Sequence, residues 1–233
     1  MQTLLAAFKY LTIWNFFATP PAVVTVGKAA VCFPLIGLLM GLALAFANYL
    51  LAPYLHPEIL SVVLITLLIA LTGGLHLEGL NHTFAHLAAK TRTTARENNA
   101  LGFTALLLVT LFKIAAADSM DEKLVVSLLL TPVLARWALV VFLYGYPAGF
   151  EETPRFIAAE IRLWHLLVGT MVTLALTVYL LGRKGLWIGL AISLFVLLMR
   201  SLLYRRHGVL TNDHVGAVVE LGEALSLVLL ASL

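Results

Sequence analysis

Charged residues are scarce in this chain of 233 residues: they make up 12% of it, while hydrophobic residues make up 61%. Soluble globular domains carry about 25% charged and about 45–50% apolar residues. This scarcity excludes a water-soluble fold, and the mean hydropathy of +0.99 points the same way. Because a membrane-spanning helix needs about 20 apolar residues, the chain is long enough for seven spans and their loops.

Cysteine pairs, a strong net charge and internal repetition are also missing. The single cysteine, Cys32, lies within an apolar run, so no disulfide framework can form within the chain. The formal net charge of +3 is too small for a nucleic-acid-binding surface, and we expect no nucleic-acid partner. We find no paired broken helices in the two halves, as an inverted-repeat transporter would show.

Long apolar runs dominate the sequence. Seven of them are candidates to cross a membrane: 29–52, 59–75, 101–117, 124–143, 164–182, 185–203 and 214–233. Continuous runs predict helices, whereas the strands of a membrane barrel alternate apolar and polar residues over about ten positions. We therefore predict an all-α, polytopic integral membrane bundle with about seven transmembrane helices, forming a single domain over residues 1–233. The run 59–75 is short for a span.

The N-terminal segment 1–19 is apolar but interrupted by Lys9, and it lacks the basic start of a cleaved signal peptide. It predicts an amphipathic helix that lies at the membrane interface or is buried in the protein. Pro20 and Pro21 should end that helix, because proline cannot continue it.

Basic residues are unevenly divided between the two sides that seven spans define. The side with the N-terminus and the longer loops carries ten of them: Lys9, Lys28, Lys90, Arg92, Arg96, Arg155, Arg162, Arg200, Arg205 and Arg206. The other side carries three: Lys123, Arg183 and Lys184. Cytoplasmic loops are enriched in Lys and Arg, so we expect the N-terminus and the longer loops in the cytoplasm.

Polar residues gather between positions 76 and 86, directly after the second apolar run. If this segment is helical, Glu78, His82 and His86 are four residues apart and share one face. One carboxylate and two imidazoles can bind a divalent metal; imidazole suits Zn, Mn or Fe, whereas Mg prefers oxygen ligands. The alternative is a solvated interfacial helix whose histidines share no ligand.

A second polar group opens the last apolar run. Thr211 or Asn212 can cap a helix that carries Asp213 in its first turn. Glu220 and Glu223 follow within the span, where an unpaired carboxylate costs about 2.5–3.5 kcal/mol on insertion scales.

We expect these two carboxylates to face the bundle interior and to meet a basic partner. The candidates are Lys113 and Arg136, which lie deepest within their own apolar runs. The four charges serve either as a structural ion pair or as the lining of a functional polar cavity.

Motifs in several segments occur, in this order, in a known family. Lys28 precedes Phe33-Pro34-Leu35-Ile36-Gly37, and the segment 73–80 reads GGLHLEGL. The segment 210–223 reads LTNDHVGAVVELGE. These resemble the F-P-L-[IV]-G, G-G-[LF]-H-L-D-G-L and L-T-G-D-x-x-G-A-x-x-E-L-x-E motifs of the cobalamin synthase family. The family is also matched at the start of the chain, in the segment 98–102 and at Arg136. The resemblance therefore covers nearly the whole chain.

The resemblance implies a membrane transferase of late cobalamin biosynthesis. Its members join adenosylcobinamide-GDP to α-ribazole or α-ribazole 5′-phosphate and release GMP, with Mg²⁺ as the expected metal and Mn or Zn as alternatives given His82 and His86. The matched positions suggest three catalytic residues: Glu78, Asp213 and Glu220. They suggest five substrate-binding residues: Lys28, Asn98, Arg136, Thr211 and Asn212. The expected metal ligands are Glu78, His82, His86 and Asp213.

The chain departs from the family at its acidic positions. The family motif H-L-D-G-L-A-D-T-x-D-G contains three aspartates. At those three positions this chain has Glu78, His82 and Ala85. The aspartate and arginine of the family's D-S-R-[IL]-G are replaced by Asn98 and Ala100. Either the metal is held differently, with His82 and His86 recruited, or the activity is weakened, changed or lost.

Three hypotheses remain. The first is the transferase, embedded in the cytoplasmic membrane with the lipid bilayer around it. The second is a non-catalytic member of the same family that binds corrinoids or holds a complex together. The third is a small transporter that uses the four charges around Lys113 as a buried pathway. Each is compatible with a homo-oligomer.

Overall fold

The structure, a computed structural model, describes residues 2–12, 23–88, 99–145 and 147–233. Its helices are α1 Gln2–Leu11, α2 Val23–Lys28, α3 Phe33–Leu51, α4 Pro57–Thr72, α5 Leu75–Ala88, α6 Ala100–Asp118, α7 Leu124–Leu143, α8 Glu152–Glu160, α9 Leu163–Leu181, α10 Arg183–His207 and α11 Asn212–Ala231. Short 3-10 turns precede α3 and α8. The predicted all-α helical bundle is confirmed.

Six helices within the described residues are long and apolar enough to cross a membrane: Ala30–Leu51 (α3 with its preceding turn), α6, α7, α9, α10 and α11. They contain 19 to 25 residues. At about 1.5 Å of rise per residue, this length matches a hydrocarbon core about 30 Å thick. The count becomes seven if α4 and α5 together form one broken span.

The predicted span 59–75 differs from the observed helix. Helix α4 ends at Thr72, and α5 leaves it at an angle of 89°. Gly73 and Gly74 make this bend, with φ of +64° and +72°. Glycine reaches that left-handed region without the steric cost that a Cβ would bring. The segment 76–86 is therefore a separate helix and not the continuation of a straight span.

The N-terminal helix α1 is shorter than the predicted 1–19, since it ends at Leu11. It is amphipathic as expected: Ala7 and Leu11 are buried, while the polar Gln2 and Thr3 are exposed. Tyr10 of α1 stacks on Phe33, with ring centroids 5.9 Å apart. The remainder of the predicted helix and the two prolines after it lie outside the described residues.

Helices α7 and α11 form the centre of the bundle, and each buries 72% of its apolar window inside the protein. Helix α3 packs against α7 through two glycines. A Cβ on Gly41 would lie 2.6 Å from the backbone oxygen of Leu129, and a Cβ on Gly37 would meet the Pro132 carbonyl more closely still. Small residues at these positions let the two helices approach within the same molecule.

The peripheral helices present apolar side chains outward. Tyr179 of α9 and Trp187 of α10 are 85% and 71% exposed, and Phe112 of α6 is 60% exposed. Apolar surface of this extent is costly in water and suits a lipid environment. The chain is an integral membrane protein.

The two ends of the bundle differ. The loop-rich end consists of α2, α5, α8 and the turn 208–211 between α10 and α11. The Leu210 amide there donates to the Gly149 carbonyl at 2.7 Å, and the Arg206 guanidinium donates to the Leu87 carbonyl at 3.3 Å. The short-turn end consists of residues 52–56, 119–123, 182 and 232–233. Its Lys184 ammonium donates to the Leu233 carbonyl at 2.8 Å.

Candidate functional site

The segments 73–80 and 210–223 meet where α5 crosses α11. A Cβ on Gly79 would lie 2.8 Å from the Asp213 backbone oxygen and 3.0 Å from the Gly216 Cα. A Cβ on Gly216 would lie 3.1 Å from both the Gly79 Cα and the His76 backbone oxygen. The two backbones are thus in direct contact, and only glycine leaves room for this crossing.

The start of α6 joins the same place. Gly102 packs against the side-chain oxygens of Asn81 on α5 and of Asn99. A Cβ on Gly102 would clash with both oxygens. Three segments that are polar in the sequence therefore converge at the loop-rich end. The predicted substrate-binding residue Asn98 precedes this contact but lies outside the described residues.

Helix α11 begins at this convergence with a capping box. The Thr211 side-chain oxygen accepts from the His214 amide at 3.4 Å, and the Thr211 amide donates to the His214 ring nitrogen Nδ1 at 2.9 Å. Both bonds satisfy groups that a helix start leaves unpaired. The predicted cap at Thr211 is confirmed, and Asn212 is the first residue of the helix.

Asp213 in the first turn of α11 faces α5. Its carboxylate oxygen Oδ1 lies 3.6 Å from Nδ1 of His82. Both side chains stay accessible, at 37% for Asp213 and 44% for His82. An acidic group in the first turn is stabilised by the helix dipole, and its accessibility leaves it free to meet a ligand.

Glu78, His82 and His86 lie on the same helix, as the spacing predicts, but they do not close around one point with Asp213. Glu78 is exposed and His86 is half-buried. Within the part of the chain that the structure describes, no three His, Cys, Asp or Glu side chains form a group that could hold a metal ion. These residues, as placed here, do not fit a complete resident metal site, because a divalent ion needs several ligands converging at about 2.0–2.6 Å.

Four charges form a buried network below this site. Lys113 of α6 donates to Glu220 at 2.5 Å and to Glu223 at 2.6 Å, both on α11. Arg136 of α7 donates to the other oxygen of Glu223. All four side chains are at most 2% exposed. The prediction that Lys113 and Arg136 are the partners of the two carboxylates is confirmed.

The network is balanced, with two positive and two negative groups tying α6, α7 and α11 together. Glu220 lies eight residues after Asn212, about 12 Å further along the helix axis at 1.5 Å per residue. Its carboxylate is therefore well below the accessible Asp213. Arg136 is fully buried, and its Nε and Nη2 atoms have no hydrogen-bond partner among the described residues.

Lys28, the remaining predicted substrate-binding residue, is exposed at the end of α2. Helix α2 is held at the loop-rich end by α8, since a Cβ on Gly27 would lie 2.5 Å from the Ile157 backbone oxygen. The ammonium is accordingly at the same end of the bundle as Asp213.

Sequence reasoning missed the role of His207 and His214. The ring nitrogens His207 Nδ1 and His214 Nε2 are 3.0 Å apart, which joins the end of α10 to the start of α11. One signal was available: His214 occupies the third position after Thr211, where a capping box places Glu or Gln. The contact with His207 depends on the tight turn at Gly208, which no periodicity predicts.

The fold and the site together define a polytopic helical membrane protein with a polar site at its loop-rich end, formed where α5 crosses the N-terminus of α11. The sequence profile of the cobalamin-5-phosphate synthase family matches residues 3–231, nearly the whole chain. The chain belongs to the cobalamin-5-phosphate synthase family.

Curated relatives support this assignment. The chain is 31% identical to the adenosylcobinamide-GDP ribazoletransferase of Geotalea daltonii, over 89% of this chain and 87% of that protein. It is 33% identical to the protein of that name from Desulfitobacterium hafniense, over 84% and 82% of the two chains. The protein of that name from Pseudomonas putida (strain GB-1) is 35% identical over 87% of each chain. No solved structure matches this chain.

Proposed function

We propose that this chain is an adenosylcobinamide-GDP ribazoletransferase, which joins adenosylcobinamide-GDP to α-ribazole or α-ribazole 5′-phosphate and releases GMP. The observation that carries the proposal is the α5–α11 crossing. It brings the family's two most specific motifs into one accessible polar site. Relatives that bear this enzyme name align along most of the chain.

In the proposed reaction, a ribose hydroxyl oxygen attacks the phosphorus that remains on the corrinoid. A new P–O bond forms, the bond to the GMP oxygen breaks, and GMP leaves with the electron pair. Asp213 takes the hydroxyl proton, because it is the accessible carboxylate at the crossing. The imidazole of His82 lies 3.6 Å from this carboxylate.

The substrate's phosphates need positive charge nearby. We propose that the N-terminus of α11 and the exposed ammonium of Lys28 supply it. Glu78 and Thr211 border the same site, and we keep them as candidates for contacts with the substrate. Arg136 is bonded to Glu223 inside the bundle, so it acts on the substrate only if the network opens.

The metal stays a prediction. The family resemblance favours Mg²⁺, and the imidazoles of His82 and His86 would favour Mn or Zn. Because the described side chains do not converge on one ion, no step of the reaction above is assigned to a metal.

We further propose that the protein lies in the cytoplasmic membrane with its loop-rich end in the cytoplasm. The excess of basic residues at that end supports this orientation. A cytoplasmic site would also face a large, anionic, water-soluble substrate directly.

The decisive experiment measures GMP release from adenosylcobinamide-GDP by the purified full-length protein with α-ribazole and, in separate arms, Mg²⁺, Mn²⁺ or Zn²⁺. We expect turnover that Asp213→Asn lowers by about 100-fold or more, the effect of losing a general base. Asp121→Asn, an exposed position at the short-turn end, is the matched control and should keep full activity. Absence of turnover in every arm, beside an active relative, refutes the proposal.

The metal is tested on the same samples. Bound metal is quantified in the wild-type protein and in Glu78→Ala and His82→Ala. If both variants retain the wild-type metal content, the segment 76–86 does not hold the ion.

One alternative has a specific observation in its favour. The replaced acidic positions and the lack of three converging ligands among the described residues suit a family member that binds corrinoids without transferring them. Corrinoid binding without GMP release in the experiment above would establish it. The transporter hypothesis is not favoured, because the four charges that would form its pathway bond to one another inside the bundle.

A further inference from the structure

His214 is bonded on both sides of its ring. The side chain belongs to the first turn of α11, and the residue is only 3% exposed. Its Nδ1 atom accepts from the Thr211 amide at 2.9 Å, and its Nε2 atom lies 3.0 Å from Nδ1 of His207, the last residue of α10. The two rings are nearly parallel, with an interplanar angle of 8°.

These contacts allow one arrangement of protons. The Thr211 amide can only donate, so Nδ1 of His214 carries no proton and the ring's proton is on Nε2. That proton is donated to Nδ1 of His207, whose own proton is then on Nε2. Two neutral imidazoles in this tautomer connect the Thr211 backbone to α10.

The connection closes a tight turn. Gly208 caps the C-terminus of α10; it adopts φ of +74°, and its amide donates to the Tyr204 carbonyl at 2.8 Å. Only Gly208, Val209, Leu210 and Thr211 separate the two helices. The imidazole pair therefore links both ends of the turn, and it fixes the direction in which α11 starts.

We propose that His214 is a positioning residue: it holds the first turn of α11 so that the neighbouring Asp213 faces His82. This inference rests on the proposed function, since it assigns to Asp213 a role in the reaction. Among the described residues, the ionic partner of Asp213 is His82, at 3.6 Å, and this contact is too long to fix the carboxylate by itself. The rigidity comes instead from the buried ring of the next residue.

The first test measures hydrogen exchange of the amides in segment 211–216 and needs no activity. His214→Leu removes both ring contacts, and we expect about tenfold faster exchange at Thr211, as the loss of a cap predicts. His214→Gln should keep exchange within about threefold of wild type, because Gln at this position completes a capping box. His56→Leu, at an exposed histidine of the short-turn end, is the control and should change nothing in this segment. Unchanged exchange in His214→Leu overturns the proposal.

The second test is a double-mutant cycle on GMP release. We expect His214→Leu to lower kcat about tenfold while KM for adenosylcobinamide-GDP stays within about twofold, and His214→Gln to restore most of the rate. In the Asp213→Asn background the same substitution should have no further effect, because the carboxylate that it misplaces is gone. A further tenfold loss in that background would show that His214 supports only the general fold.

The proposed function and the positioning role of His214 can be refuted independently of each other. If the wild-type protein releases no GMP, the proposed function is refuted, while the exchange measurement still decides whether His214 holds the start of α11. If the wild type is active and the cycle is additive, the transferase stands and the positioning role is overturned.

Discussion

A charge in the middle of a membrane-spanning helix persists only when its partners are fixed. Lys113 meets this condition through two carboxylates on one face of α11, Glu220 and Glu223. Glu223 also accepts from Arg136, whereas among the described residues Glu220 bonds to Lys113 alone. The four residues are therefore not equivalent, and Glu220 depends on Lys113 more than Glu223 does.

We predict that Lys113→Met lowers the free energy of unfolding by about 3–5 kcal/mol, because removing one partner leaves an uncompensated buried charge. Thermal unfolding in detergent measures the loss. Lys123→Met, an exposed position at the short-turn end, should unfold as the wild type does.

The double variant Lys113→Met with Glu220→Gln should recover most of that loss. It removes both members of the pair, while Glu223 keeps Arg136. A double variant as unstable as Lys113→Met alone would contradict the pairwise picture and would place the cost in packing around Lys113.

Helix α11 has two functions along its length. Its N-terminal turn carries Asp213 and the capping box, and its middle carries the buried carboxylates and packs in the centre of the bundle. The network anchors the helix to α6 and α7, and the glycine crossing sets its distance from α5. The position of Asp213 relative to His82 thus depends on how closely two helices approach.

We predict that Gly216→Ala strongly reduces GMP release, whereas Gly222→Ala on the same helix does not. A Cβ on Gly216 would lie 3.1 Å from the Gly79 Cα, which is backbone that cannot move aside without separating α5 from α11. A Cβ on Gly222 would meet its nearest neighbour, the Ala135 Cα, at 3.6 Å, an ordinary contact.

Each substitution gains about the same helix propensity, about 0.8–1.0 kcal/mol. A difference in activity between the two variants therefore reports the crossing alone. Activity and thermal stability are measured together for the two variants. Equal activity would mean that the close approach of α5 and α11 is not required at the site.

The whole bundle is asymmetric in two ways: it is apolar around its circumference, and it is more basic at one end. The first property suits a bilayer, and the second is the basis of the proposed orientation. Among the described basic residues, Lys113 and Arg136 are buried deep within their spans, and both are neutralised there. In the sequence, the other thirteen basic residues are divided ten to three between the two sides that seven spans define.

We predict that the loop-rich end faces the cytoplasm. In a background with Cys32→Ser, a membrane-impermeant maleimide added to intact cells should label Asp121→Cys at the short-turn end. It should label Arg205→Cys at the loop-rich end only after the membrane is permeabilised. Both positions are exposed, so their difference reports topology rather than burial. The opposite labelling pattern would invert the orientation.

Much of the fold could be predicted because the constraints that decide it are local. An uninterrupted apolar run of about 20 residues has few alternatives to a spanning helix, since the backbone must bond to itself in hydrocarbon. The partners of Glu220 and Glu223 followed from the same constraint. A buried carboxylate requires a cation, and Lys113 and Arg136 were the two basic residues deepest within the predicted spans.

The contacts between segments could not be predicted in this way. The bend at Gly73 and Gly74 ends α4 at Thr72 and sets α5 at 89° to it, because paired glycines permit many conformations and packing selects among them. The spacing of Glu78, His82 and His86 was correct for one helix face, yet no described group of three ligands closes around an ion.

Composition and the order of the apolar runs were enough to establish a helical membrane protein and most of its candidate spans, and the quoted motifs carried the family resemblance. These properties depend on the transfer of each segment between water and lipid, which is additive along the chain. The site required the folded molecule. Asp213 meets His82 and His214 meets His207 only because α5, α10 and α11 pack at particular distances, and such distances arise from contacts between residues far apart in the sequence.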